Sequence, residues 1–276
     1  MTNPILLFVG FFLLFQPTQA YVPRANTIVK KMVSNNGRRE YKIVREVKIS
    51  SPERQLTTRE VWTVAYGDKM KVHVSSTDPN NPWSFVILYS GKNRKTLSQN
   101  KNIKSFKKSP DFFEPLFHDR SSRSLMTRLV SYKFMPDWIS TTPPPAYVDG
   151  KTKMTPEPFV RLTPMEGRVN YMIGSPNDTQ GGSNQTLLWV EQDSFLIRKG
   201  RLRSKAEFVN NNYQSFSGGL KLPSEQLISW SDKVANVKVL TAERVRTKKK
   251  DWSLTAKDSG AIPVDGLIKE FYSRFR

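Results

Sequence analysis

The stretch 61-VWTVAYGDKMKVHV-74 decides the fold class, because its second half places a hydrophobic side chain at every second position. Residues 61–66 are rich in β-branched and aromatic types, and Met70, Val72 and Val74 then alternate with two lysines and a histidine. A period of two is typical of a strand with one buried face. Gly67-Asp68 between the two runs predicts a tight turn, so the stretch is interpreted as a β-hairpin.

The same period continues on both sides of this hairpin. Tyr41, Ile43, Val47 and Ile49 alternate with polar residues, and the nearly apolar run 84–89 turns at Ser90-Gly91 into a further short strand. Later strands are predicted at residues 169–173, 186–191, 195–203, 206–209, 227–230 and 234–240. The sequence therefore predicts a mainly β chain, a meander of antiparallel strands with one dry face and one face rich in Lys and Arg.

Three segments have helical spacing instead. The first has Asn26-Thr27 as its expected cap, the second spans 119–134 with a cap near Ser121 or Ser122, and the third spans 267–275 at the C-terminus. Each has the apolar stripe of an amphipathic helix. They add a few helices to a mainly β fold.

The N-terminus has the pattern of a secretory signal peptide. The apolar run 5-ILLFVGFFLLF-15 is about half the ~20 residues that a membrane-spanning helix needs. Pro17 ends the run, and Thr18 and Ala20 are the small residues expected before a cleavage site. A core helix would need a polar face, and the first twenty residues carry no charge. We expect export, cleavage after Ala20 and a single mature domain over 21–276, with a Pro-rich connection around 141–164.

Composition excludes several classes of site. The chain has no cysteine, which rules out disulfides, thiolate zinc sites and a thiol nucleophile. The net charge of +20 comes from 44 Lys and Arg against 24 Asp and Glu. Export makes nucleic acid an unexpected partner and directs this charge toward an anionic membrane surface or envelope polymers. A second interpretation, that the charge serves solubility alone, stays open.

Two groups of residues carry a family resemblance. They are the strand 60-EVWTV-64 with 84-SFVILYSGKNRKTL-97, and the strand-turn-strand 188-LWVEQDSFLIRK-199. Together with the order of the elements, these motifs resemble LolA-like periplasmic proteins, the outer-membrane lipoprotein carriers and their relatives. The resemblance covers most of residues 21–276 in layout. It implies an unclosed antiparallel half-barrel with a helical lid, a periplasmic location, a monomer without a cofactor, and binding of lipoprotein or other lipid acyl chains.

An apolar cavity inside such a half-barrel would keep acyl chains out of water, at about 0.8 kcal/mol per buried CH₂. We expect two strand groups to form the cavity wall and one helix to form the lid. The predicted wall residues are Met70, Val72, Val74, Phe85, Ile87, Tyr89, Leu188 and Val190, and the predicted lid residues are Leu125, Met126 and Leu129. Taken singly, each of these residues also fits ordinary core packing.

No catalytic motif is present, and the sequence predicts a protein that is not an enzyme. GxSxG, GxxxxGK(S/T), HExxH and GxGxxG are all missing from the sequence. His118 precedes Asp119, and we interpret the pair as capping the following helix. The alternative function is an exported basic binder of anionic envelope polymers or membrane surface, without a lipid cavity. Charge-only binding should collapse as salt rises, whereas cavity binding should survive.

Overall fold

The strands form one 13-stranded antiparallel sheet and a separate two-stranded one. The computed structural model describes residues 22–97, 103–140, 147–148, 151–152, 157–174, 185–255, 258 and 265–276. The signal peptide expected at 1–20 lies outside the described residues. The strands are β1 (Glu40–Ser50), β2 (Gln55–Tyr66), β3 (Lys69–Ser76), β4 (Ser84–Ser90), β5 (Asn93–Leu97), β6 (Ile103–Lys107), β7 (Tyr147–Val148), β8 (Lys151–Thr152), β9 (Val160–Met165), β10 (Arg168–Gly174), β11 (Leu187–Glu191), β12 (Ile197–Arg201), β13 (Glu207–Phe216), β14 (Leu220–Trp230) and β15 (Lys233–Val245).

The first and last strands of the large sheet pair with each other near its middle. The order is β6-β5-β4-β3-β2-β1-β15-β14-β13-β12-β11-β10-β9, so two meanders run outward from the β1–β15 pair. Among the described residues nothing joins β6 to β9, and the sheet is therefore unclosed. The mainly β, unclosed half-barrel predicted from the sequence is confirmed.

Three α-helices lie within the described residues, α1 (Ala25–Val33), α2 (Ser122–Ser131) and α3 (Gly266–Phe275). The side chain of Ser121 accepts a hydrogen bond from the Ser124 amide, which confirms the predicted cap of α2. The predicted cap of α1 is wrong, because that helix already begins at Ala25 and no side chain caps it. Short 3₁₀ helices lie at Glu114–Phe117, Asp137–Ser140, Ser217–Gly219 and Lys249–Trp252, and the first of them is buried at every residue.

Four strands were not predicted from the sequence: β7 and β8, which have two residues each, and β6 and β9 of the large sheet, which were missed for different reasons. β6 is exposed at every position, so it has no hydrophobic period to detect. β9 lies inside the stretch predicted as a Pro-rich connection and contains Pro164, a residue that removes a ladder donor. It forms an edge of the sheet, which is where a strand tolerates proline.

Candidate ligand site on the inner face of the sheet

One face of the sheet, here called the inner face, is covered by the helices. In β1 and β2 it consists of alternate residues that are buried, whereas the residues between them form the outer face. The inner-face row of β1 includes Arg45, and that of β2 includes Glu60. The inner-face side chains of the strands and the apolar sides of all three helices belong to one hydrophobic cluster.

Six of the predicted wall residues come together on this face. Val72 lies opposite Ile87, and the same register pairs Met70 with Tyr89 and Val74 with Phe85. All six are buried. Leu188 and Val190 are also buried on the inner face, but they belong to β11, and six strands separate that strand from β3 in the sheet. The predicted wall therefore occupies two distant arms of the half-barrel.

The predicted lid helix is only part of what covers the sheet. Leu125 and Leu129 are fully buried in the cluster and Met126 packs against it, while α2 as a whole lies against α1. The wall on β4 is contacted by other segments. Phe112 stacks on Tyr89 with ring centroids 4.4 Å apart, and Tyr272 of α3 meets Phe85 edge-on at 5.3 Å.

Residues 112–117, α3 and the Arg276 that follows it are together named the inner cover. Phe113 stacks on Phe208 of β13 at 4.1 Å, so the cover spans both sides of the β1–β15 pair. From α3, Phe275 packs on Trp230 of β14 at 5.1 Å. The sequence predicts this helix at 267–275, but the predicted lid did not include it. Its buried residues are Leu267, Ile268, Phe271, Tyr272 and Phe275.

A buried ion pair anchors the first part of the inner cover. Arg45 Nη2 donates to Glu114 Oε1 over 2.6 Å, and His118 Nε2 lies 3.0 Å from the same oxygen. Burial would raise the pKa of Glu114, but Arg45 and His118 outweigh it and hold that pKa well below its usual range. Burial lowers the pKa of His118 despite Glu114, which favours the neutral imidazole. The predicted capping role of His118 is wrong, because its side chain bonds to Glu114.

A second buried ion pair anchors α3. Arg276 Nε donates to Glu60 Oε1 over 3.0 Å, and Trp62 Nε1 donates to the other oxygen of Glu60 over 2.8 Å. Arg276 and Glu60 are both wholly buried. Arg94 adds two hydrogen bonds of 2.9 Å to the carbonyl oxygens of Tyr272 and Arg276. The end of α3 is thus fixed to the sheet by specific polar contacts as well as by packing.

Arg45 and Glu60 were not predicted as site residues from the sequence. The signal that points to Arg45 is the strand period itself, since Tyr41, Ile43, Val47 and Ile49 leave one position of the inward row for residue 45. A charge at a predicted core position is expensive unless it is paired, so it marks a position with a specific role. Glu60 follows from the same reasoning two residues before the inward Trp62.

A cavity of about 770 Å³ opens where α3 begins. Leu56, Trp83 and Ile268 supply its apolar surface, and the polar surface includes Asp78 and the Arg54–Asp265 pair. Arg54 Nη1 lies 2.8 Å from Asp265 Oδ2 and Nη2 lies 3.2 Å from Oδ1. Ligand sites in proteins commonly have volumes of roughly 300–1,000 Å³. None of the eleven predicted site residues lines this cavity.

Two described residues that precede α3 in the sequence, Trp252 and Asp258, contact the outer face of β3. Lys69 and Lys71 point outward from β3, where Lys69 Nζ lies 4.8 Å from the Trp252 ring centroid and Lys71 Nζ lies 3.1 Å from Asp258 Oδ2. Asp265 then meets Arg54 beside the turn between β1 and β2, and α3 continues on the inner face. As a helix, α3 packs on the inner face without sheet hydrogen bonds to the strands that it covers.

The described residues hold no group of three or more His, Asp and Glu side chains arranged to bind a metal ion. None of the helices in this part of the chain combines the length and the apolarity needed to cross a membrane.

Comparisons with solved structures identify the fold. The chain is similar to a LolA superfamily protein from Nitrosomonas europaea, at 12% identity and a TM-score of 0.56, covering 84% of this chain and 99% of that chain. A domain named for outer membrane lipoprotein sorting, from Vibrio parahaemolyticus, is 11% identical with a TM-score of 0.51, covering 82% and 95%. A DUF1329 family protein from Desulfovibrio piger is 8% identical with the same TM-score of 0.51, covering 83% and 95%.

No family model matches the sequence, and the comparison with curated proteins finds no relative. Identity of 8–12% supports a shared architecture and nothing finer. The half-barrel, its strand order and these matches lead to one conclusion: this chain has the LolA-like fold.

Proposed function

We propose that this protein is a periplasmic carrier or sensor that binds acyl chains, from lipoproteins or another lipid, on the inner face of its half-barrel. The observation that carries the proposal is the nature of the inner cover. It lies on an apolar face without joining the sheet ladder, and ion pairs, a few hydrogen bonds and side-chain packing hold it there. Such a segment can leave while the sheet stays intact.

Burying an acyl chain on the inner face would release about as much free energy as burying the side chains of α3. Five buried side chains of α3 at about 1.5–3 kcal/mol each contribute roughly 8–15 kcal/mol of burial. A sixteen-carbon acyl chain at about 0.8 kcal/mol per CH₂ contributes on the order of 13 kcal/mol. An acyl chain that replaced α3 would therefore offset most of the burial lost when the helix leaves, and the cavity of about 770 Å³ at the start of α3 offers a point of access.

The name of one similar structure also supports the proposal. One similar structure carries a name that refers to outer membrane lipoprotein sorting, and sorting of that kind requires acyl chains to be kept from water. The expected location, the expected monomer and the absence of enzymatic activity belong to the same proposal.

The proposal is tested by lipid analysis and by titration. The mature protein, purified from its native envelope, is expected to carry lipid that mass spectrometry identifies, and delipidated protein is expected to bind a dansyl-labelled fatty acyl probe. Replacing Phe275 with Ala removes one side chain of the inner cover and should tighten probe binding, whereas Leu240→Ala changes an exposed residue and should not. Lipid-free protein that also ignores the probe contradicts the proposal.

The closed packing of the predicted wall favours a second candidate, the exported basic binder of anionic polymers or membrane surface. Its support is the charge of +20 together with Lys104 and Lys107 of the wholly exposed edge strand β6. Salt separates the two functions, because screening weakens exposed charge contacts and leaves burial of hydrocarbon intact. Probe binding that survives molar salt supports the carrier, and binding to anionic vesicles that salt abolishes supports the alternative.

A further inference from the structure

We infer that Arg45 and Glu60 determine the ligand class of the inner face: when the inner cover leaves, these two residues pair with each other, and the face then accepts an uncharged chain in preference to a charged one. The inference rests on the proposed function and specifies the chemistry of the same site.

The strand register places the two residues together. Arg45 of β1 and Glu60 of β2 are direct cross-strand partners, and both belong to the buried inward rows. Side chains at such positions have Cβ atoms about 4.5–5.5 Å apart, which lets an arginine reach a glutamate. Trp62 lies beside both, because its Nε1 bonds to Glu60 and its ring centroid is 5.4 Å from Arg45 Cζ.

In the structure each residue is paired with the inner cover instead. Arg45 bonds to Glu114, and Glu60 bonds to Arg276. Arg45 Nε and Nη1 have no hydrogen-bond partner among the described residues, so two donors remain for a new acceptor. Glu60 keeps its bond to Trp62 in either arrangement and needs a new partner only for the oxygen that Arg276 leaves.

Exchange of partners explains how the face can open. Departure of Glu114 and Arg276 would leave two unpaired charges in an apolar surface, which is strongly unfavourable for each of them. Because the charges are opposite and adjacent, they can neutralise each other. The opened face would then carry no net charge at this point.

A self-neutralised pair discriminates between ligands. A carboxylate or phosphate near Arg45 would meet the adjacent Glu60, and an ammonium near Glu60 would meet Arg45, so either head group faces a like charge. A hydrocarbon meets neither penalty. The ligand segment that reaches this point is therefore expected to be uncharged, as an acyl chain is.

The test compares dodecanoate with 1-dodecanol, which share a chain length and differ in charge, by isothermal titration calorimetry. Wild-type protein is expected to prefer 1-dodecanol. Glu60→Gln leaves Arg45 uncompensated in the opened face and should shift the affinity ratio toward dodecanoate by about tenfold or more. Any effect of this substitution on opening acts on both ligands and cancels in the ratio.

Two further variants complete the test. Arg45→Gln should shift the ratio the opposite way, and it carries the test alone if the Glu60 variant does not fold. Glu46→Gln changes a neighbouring outward carboxylate and should leave the ratio unchanged. A ratio that is the same in wild type and in both inner-face variants overturns the inference while the proposed function stands. Failure of every protein to bind either ligand overturns both.

Discussion

The inner and outer faces of β1 and β2 both carry charged side chains, which are buried on the inner face and exposed to water on the outer face. On the outer face of β1, Glu46 and Lys48 lie 3.7 Å apart with side chains that are 36% and 51% exposed. On the inner face, the Arg45–Glu114 and Glu60–Arg276 pairs have side chains no more than 4% exposed. Water solvates the outer charges whether or not they pair, whereas the inner charges depend on their partners. The difference teaches that the buried inner charges, unlike the outer ones, need the cover in place to be paired.

The largest loss of stability is expected from removing one partner of a buried ion pair on the inner face. Arg276→Met leaves the wholly buried Glu60 with Trp62 as its hydrogen-bond donor and without its counter-ion. Breaking a buried pair in this way costs about 3–5 kcal/mol. Urea unfolding should therefore show a lower midpoint with little change in slope. A loss below about 1 kcal/mol would mean that the pair does not hold α3 to the sheet.

A smaller loss of stability is expected from replacing a hydrogen-bonded carboxylate on the outer face. Glu191 of β11 accepts hydrogen bonds from Arg168, Arg198 and Ser194. Glu191 is itself buried but its partner Arg168 is exposed, so Glu191→Gln should cost about 1–2 kcal/mol at neutral pH, the range of charge-assisted hydrogen bonds. Arg198→Lys keeps the charge but loses the paired donors, and it should cost less. Equal losses for Glu191→Gln and Arg276→Met would remove the distinction between the faces.

The same carboxylate predicts a dependence of stability on pH. Burial would raise the pKa of Glu191, but hydrogen bonds from Ser194, Arg168 and Arg198 outweigh it and lower the pKa to about 2. A depressed pKa in the folded state contributes stability above the ordinary value of 4.5, and this contribution is lost as pH falls toward about 2. Urea midpoints measured across this window should fall for wild-type protein and fall less for Glu191→Gln. Parallel profiles would contradict the assignment.

The smallest effect is expected at the exposed pair. Lys48→Met removes a partner that lies 3.7 Å from Glu46 in water, and the free energy of unfolding should change by less than about 0.5 kcal/mol. This variant is the matched control for Arg276→Met, because both replace a cation with methionine. A loss comparable to that of the inner variant would contradict the comparison.

Much of the fold could be predicted because strand period and turn residues are local signals. The hairpin of β2 and β3 follows from its alternating residues, and the cap of α2 follows from Ser121. β6 could not be predicted, because it is exposed on both faces and its position depends on pairing with β5. The pairing of β1 with β15 is a contact between strands almost two hundred residues apart, and no local pattern encodes it.

The candidate site was predicted only in its apolar part. The alternation of apolar and polar residues predicts that Val72 and Ile87 point inward. The same alternation is also expected of a packed core, and in the structure both residues are buried in one. The inner cover could not be predicted, because its position is set by which helical segment packs against which strands. That choice is encoded by matching charges, Arg45 with Glu114 and Glu60 with Arg276, whose members lie far apart in the chain. A sequence pattern shows that a charged residue lies at a core position, but it does not show which distant residue neutralises that charge.

The most direct test of the account is to tether α3 to the sheet and measure ligand binding. Arg54 and Asp265 face each other at the start of α3, and the chain has no cysteine of its own, so R54C/D265C can be joined by a short bifunctional thiol reagent. The tethered protein should bind the dansyl-labelled acyl probe at least about tenfold more weakly than the same protein before joining. The R54C single variant, treated with the same reagent, should bind like wild type. Equal binding before and after tethering would contradict displacement of α3 as the step that opens the inner face.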